Sequence, residues 1–259
     1  LINSLAAWLD QVPLPAVPLV LLAIFMLAAE LGFACHRRYG GKGGGEDETQ
    51  VLSTALLVLA LLLGFTFSMA LDRYDERRQL VVQEANDIGT AWLRAGLAPA
   101  PHGPALQDAL RAYAGLRQTS PLPEETEKLA RAAAQRNEVW RLTAATQAML
   151  DGPRAVSMVS AVNAVLDTGT QREKAVAARV PGEVILLLVL FAAVTCFLLG
   201  YVLDAHGQRH RLASGILFLL MGLTMMLILD LDRPVDGAIL VDQSAMAALV
   251  ASLPPAVAP

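Results

Sequence analysis

The sequence predicts an all-α integral membrane protein with four transmembrane helices and a helical aqueous domain inserted between spans two and three. Three observations carry this reading. Of the 259 residues, 55% are hydrophobic and only 17% charged, against about 25% charged in an ordinary soluble domain. Four runs, near 12–35, 51–71, 184–203 and 212–229, hold almost no charge. As helices rising about 1.5 Å per residue, each is long enough to cross a hydrocarbon layer about 30 Å thick. Finally, residues 72–180 show helical periodicity and no useful strand-like alternation. The organisation that follows is a first hairpin (1–71), a helical domain (72–180), a second hairpin (181–230) and a tail (231–259).

Span two organises the rest. Val51–Leu71 is uncharged and then runs, with no Gly or Pro to stop it, into Asp72-Arg73-Tyr74-Asp75-Glu76-Arg77-Arg78. One helix therefore leaves the membrane as a charged post. At steps of three or four it places Thr54, Leu57, Leu61, Phe65, Ser68 and Asp72 in one stripe, polar at both ends and apolar in the middle. Copies arranged around an axis with that stripe inward would stack Leu57, Leu61 and Phe65 as hydrophobic rings, which gate by dewetting. Gly64 beside Phe65 would allow close helix approach. The same spacing also suits ordinary helix–helix or lipid contact.

The other elements follow in order. Trp8 is an interfacial anchor, and Pro13, Pro15 and Pro18 delay the first helix. Span one is retained as a span, since it lacks a basic leader and is longer than a signal core. Glu30 inside it either reaches the headgroups near His36-Arg37-Arg38 or marks a functional site. Residues 38–50 form a flexible loop; its glycines lack the Gly-Lys-Ser/Thr ending of a phosphate loop. After span two, an amphipathic helix to about Leu97 shows Val81, Ala85, Ile88 and Trp92 on one face. Pro99, Pro101 and Pro104 end it. Helices follow near 104–117, from Pro123-Glu124-Glu125 to about Leu150, and from Arg154 to Val180, with Asp151-Gly152-Pro153 as a break. Pro181-Gly182-Glu183 opens span three, residues 204–211 turn, and span four ends in Asp230-Leu231-Asp232-Arg233-Pro234-Val235-Asp236. Carboxylates at a helix C-terminus oppose its dipole. Asp230, Asp232, Arg233 and Asp236 thus form either an ion-pair cluster with Arg73, Arg77 or Arg78, or a cation site without EF-hand spacing.

Composition narrows function. A net charge of −4 argues against nucleic acid as a partner, because phosphate binding needs a basic face. Cys35 and Cys196 read as small packing residues in apolar runs. His206 and His210 face headgroups rather than a metal, and nothing in the chain predicts a cofactor or a catalytic constellation. Membrane lipid is the partner that the composition itself demands.

Gly64-Phe65 followed by Asp72-Arg73-Tyr74 and Arg78 resembles the second transmembrane helix of bestrophins. The Asp230-Leu231-Asp232-Arg233-Pro234 run with Gly237, and the approach from Arg172 to Pro181, resemble the bacterial bestrophin-like family more narrowly. The similarity extends from about Val51 to Leu253. It departs at Tyr74-Asp75, which stand where an aromatic pair is usual, and at Thr66 and Phe67. The resemblance implies a bestrophin-like homopentamer conducting an inorganic anion such as chloride, with Leu57, Leu61 and Phe65 as its neck. Thr54, Ser68, Asp72, Arg73, Tyr74 and Arg78 would form the pore mouth or ion-pair around it. It also implies the bacterial inner membrane, with the helical domain and both termini cytoplasmic. Loop charges conflict over that orientation: Arg37, Arg38, Lys42, Arg209 and Arg211 lie on one side, while Arg73, Arg77, Arg78, Arg172, Lys174, Arg179 and Arg233 lie on the other. The alternative function is a non-conducting, membrane-anchored helical scaffold or accessory subunit. A membrane enzyme using Glu30 or Asp230 is the remotest reading.

Overall fold

A computed structural model describes residues 13–40, 46–118, 126–206, 210–234 and 237–254. After a short 3-10 turn at Leu14–Ala16 come α1 (Val17–Tyr39), α2 (Glu46–Ala95), α3 (His102–Arg117), α4 (Thr126–Gln147), α5 (Gly152–Ala177), α6 (Gly182–Ala205), α7 (Arg211–Asp232) and α8 (Ser244–Ser252). No strand occurs among the described residues. Four helical stretches are long and apolar enough to span a membrane: Leu14–Tyr39, Asp47–Ala95, Gly152–Ala205 and Arg211–Asp232. Trp8, Lys42, Arg209 and Asp236 lie outside the described residues.

Residues expected as loop at 38–50 are partly helical: α1 continues to Tyr39 and α2 begins at Glu46. The physical reason is local. His36, Arg37 and Arg38 fill the last turn of α1, and Glu46, Asp47 and Glu48 open α2; each sign sits at the helix end whose dipole favours it.

The chain divides into two compact units. The first holds the described residues up to Asp72 together with Arg179–Arg233. Here α1 packs along α6 and α7. Glycines set the closeness of the α1–α6 contact. A Cβ on Gly32 would run into the carbonyl oxygen of Phe197, and one on Gly200 into that of Ala29. Lipid offers no hydrophobic drive between helices, so close backbone approach takes over that role. Phe25 is fully buried and meets Phe218 edge-on, centroids 6.4 Å apart. Polar ties hold the ends. His36 Nδ1 lies 3.1 Å from Asp204, Arg37 Nε donates to the same carboxylate, and Arg211 pairs with Glu30 at 2.9 Å. Glu30 therefore has an ion-pair partner within its own chain.

The second unit holds Arg73–Ala178 and the described residues from Pro234 onward. Its core includes Ile88, Leu106, Leu110, Met158, Val162 and Met246. Met246 comes from α8, so the tail contributes to this core. Asp151 accepts the Arg154 N–H and caps the start of α5, a contact of about 1 kcal/mol. At the other end, Arg77 donates from Nε to the Ala175 carbonyl and from Nη2 to that of Ala178, each at 3.1 Å. A buried guanidinium thus satisfies orphan carbonyls at the negative end of the helix. The helix expected to run to about Leu150 ends at Gln147, and Met149, beyond that end, is exposed.

Candidate functional site

The span portion of α2 is packed on one side and open on the other. Within the span, Leu52, Leu59, Thr66 and Ala70 are buried. They recur close to every seventh residue and so occupy one side of the helix. Half a turn away lie Thr54, Leu57, Leu61, Phe65, Ser68 and Asp72, and all six are exposed. The contrast is large: Leu59 is 2% exposed, while Leu57, Leu61 and Phe65 are 71%, 55% and 64% exposed. Gly64 stands in open space, with no atom within 4 Å of where a Cβ would be. The stripe therefore lies within the broad part of the helix surface that its own chain leaves uncovered, which also takes in Val51, Ser53, Val58 and Ala60. Thr54 returns its hydroxyl to the Gln50 carbonyl at 2.9 Å, so its polarity is partly spent inside the helix.

The other residues expected at the mouth separate. Arg73 and Tyr74 are half-buried, and Arg78 is exposed. At about 100° per residue, Arg73 and Arg78 point roughly a third of a turn away from the stripe, on opposite flanks. Asp230, Asp232 and Arg233 are buried. The structure brings Asp232 to the start of span three, where its Oδ1 accepts the Val180 N–H at 2.8 Å. Among the described residues, no three His, Cys, Asp or Glu side chains come together as a metal site.

Sequence reasoning missed a buried ionic network in the second unit. Glu84 on α2 is fully buried. Its Oε1 accepts from Arg117 Nε at 2.8 Å and from the Tyr113 hydroxyl at 3.0 Å, and its Oε2 from Arg172 at 2.7 Å. Arg117 and Arg136 share Glu173, and Arg172 reaches Gln243 just before α8 at 2.6 Å. Burial, then the Glu84 carboxylate, pushes the Tyr113 phenol well above its ordinary range. Burial pulls the Arg117 guanidinium down, but Glu84 more than offsets this and keeps it charged. Gly169 makes room, since a Cβ there would meet the Tyr113 hydroxyl and Glu84. The signal was present in the sequence: Glu84 falls on the same helical face as Val81, Ala85 and Ile88. An acid in an apolar stripe predicts a buried acid with a partner.

An all-α membrane protein whose longest helix leaves one face uncovered through the span is the class this fold and face define. The chain belongs to the bestrophin-like family, for the Bestrophin-like domain profile matches residues 47–246. Its fold is similar to solved structures of a bacterial bestrophin homologue from Klebsiella pneumoniae. One point mutant of that protein is 19% identical, covering 94% of this chain and 97% of that chain with a TM-score of 0.66. A second mutant is 21% identical, with 90% and 96% covered and a TM-score of 0.63. A structure described as a mutant membrane protein is 20% identical, with 91% and 97% covered and a TM-score of 0.65. At these identities the likeness is one of fold. No curated protein matches the sequence.

Proposed function

We propose that the protein is a bestrophin-like ion channel, in which several copies, five by family resemblance, surround an axis with the α2 stripe facing it. The observation that supports this is the two-sidedness of the span. One side is packed within the chain, and the opposite side is a polar–apolar–polar stripe that the chain leaves exposed. In a ring, Leu57, Leu61 and Phe65 form three stacked apolar constrictions, which expel water and block ions until they widen. Gly64, free of neighbours, leaves room for the Phe65 ring to swing. In this reading the channel sits in the bacterial inner membrane with the helical unit and both termini in the cytoplasm. Family resemblance points to an anion as the conducted species.

The test is ion flux through the purified full chain in liposomes, with size-exclusion elution as the control for assembly. Leu57→Ala, Leu61→Ala and Phe65→Ala combined are expected to raise conductance above wild type. Zero flux in that triple variant, assembled normally, would contradict a pore along this stripe and favour the scaffold reading.

A further inference from the structure

One end of the membrane unit carries more cationic side chains than its own acids engage. By helical phase, Leu27, Leu31, Ala34 and Arg38 lie along one stripe of α1, and all four are exposed. The opposite side of α1, through Phe25, Ala29 and Gly32, is buried, and the helix packs along α6 and α7. An apolar stripe left open at membrane depth faces lipid chains. This one ends in Arg38, followed by the exposed Tyr39, whose ring centroid lies 5.8 Å from the Arg38 guanidinium. Arg and Tyr at the end of a span are the side chains that meet headgroups.

The carboxylates around this end are already engaged. Asp204 on α6 takes both His36 and Arg37, and Glu30 takes Arg211 at the start of α7. Asp47 and Glu48, which open α2, form no ion pair with these cations among the described residues. Arg38 is left without a carboxylate partner there. Arg37 engages Asp204 through Nε alone, and its side chain is 59% exposed. Two neighbouring guanidinium groups therefore present donors outward at the edge of the span.

We propose that this end of α1 binds a phospholipid with a net negative headgroup. Its phosphate would meet Arg38, with Arg37 beside it, and its chains would lie along Leu27 and Leu31. Charge complementarity selects the occupant. The guanidinium fork matches a phosphate, and a zwitterionic headgroup would bring its own ammonium up against the same two arginines. The apolar stripe below selects a lipid over a free anion, which has no chains to lay there. A basic side chain at the membrane surface strengthens binding of anionic lipid about fivefold. Arg38 is the residue whose charge is wholly available for that, since Arg37 and Arg211 also tie α1 to its neighbours.

The experiment is native mass spectrometry of the detergent-purified full chain, titrated with dioleoyl phosphatidylglycerol or dioleoyl phosphatidylcholine. The expected result is tighter binding of the phosphatidylglycerol, weakened about fivefold in Arg38→Gln and retained in Arg38→Lys. Unchanged elution and melting of both variants show that the fold is kept, as the exposure of Arg38 leads one to expect. Equal binding of the two lipids overturns the preference for a negative headgroup. A phosphatidylglycerol preference that survives Arg38→Gln undiminished places the lipid elsewhere and overturns the site. Displacement of the bound lipid by millimolar inorganic phosphate would make this a site for soluble anions and overturn the lipid as its occupant.

Discussion

The two halves of α2 solve opposite problems with one helix. In the span, its packed side is Leu52, Leu59, Thr66 and Ala70, without a charge. In the aqueous half, the same side buries Arg77 and Glu84 and pairs them. The first unit closes by glycine-mediated contact of backbones and edge-on aromatic rings. The second closes around an apolar core with an ionic network through it. The difference teaches where each solvent lets specificity come from. In lipid it comes from shape, since apolar side chains gain nothing by leaving an apolar solvent. In water, apolar burial drives collapse, and buried charges fix one arrangement because any other leaves them unpaired.

That contrast can be broken most forcefully at Glu84. Glu84→Ala leaves Arg117 and Arg172 buried without their shared carboxylate, a loss of about 3–5 kcal/mol. Thermal melting of the whole protein in detergent should show the aqueous unit unfolding first. Melting of both units together at the wild-type temperature would deny the network its role. Next in size is Gly200→Ala, which forces α1 and α6 apart where a Cβ meets the Ala29 backbone. Overpacking of this kind costs about 1–3 kcal/mol, and the effect should appear in membrane-unit stability while the aqueous unit stays intact.

The smallest effect concerns the tail. Asp242 accepts both the N–H and the hydroxyl of Ser244, and these bonds hold its carboxyl below the ordinary range. A carboxylate with a lowered pKa contributes stability above its unfolded value, and that contribution is lost as pH falls through the folded value. Amide exchange in Ser244–Ser252 should therefore quicken as pH drops below about 4, after correction for intrinsic rates. Asp242→Ala should abolish that extra dependence.

Much of this was legible beforehand because periodicity is a strong signal in long helices. The four spans rest on charge-free runs of membrane length, and the helical insert and the stripe from Thr54 to Asp72 rest on spacing. Where the chain turned out differently, the cause was competition that spacing does not resolve. Residues 46–50 look like loop by composition, yet acids at a helix start are favoured by the dipole. Arg73, Arg77 and Arg78 are neighbours in sequence, but a helix sends them to different sides. Only burial showed that Arg77 serves α5. The Glu84 network required five separated segments to converge, which no local pattern encodes, although its acid stood in phase with the apolar face around it. The tail offered too few residues to assign a partner, and Met246 found one in the core of the second unit.

Single-particle imaging of the detergent-purified protein tests the central claim most directly. A closed ring is expected, five-fold by resemblance, with Leu57, Leu61 and Phe65 of every copy facing its axis. A monomer, a dimer, or a ring in which α2 turns that stripe toward lipid would contradict it.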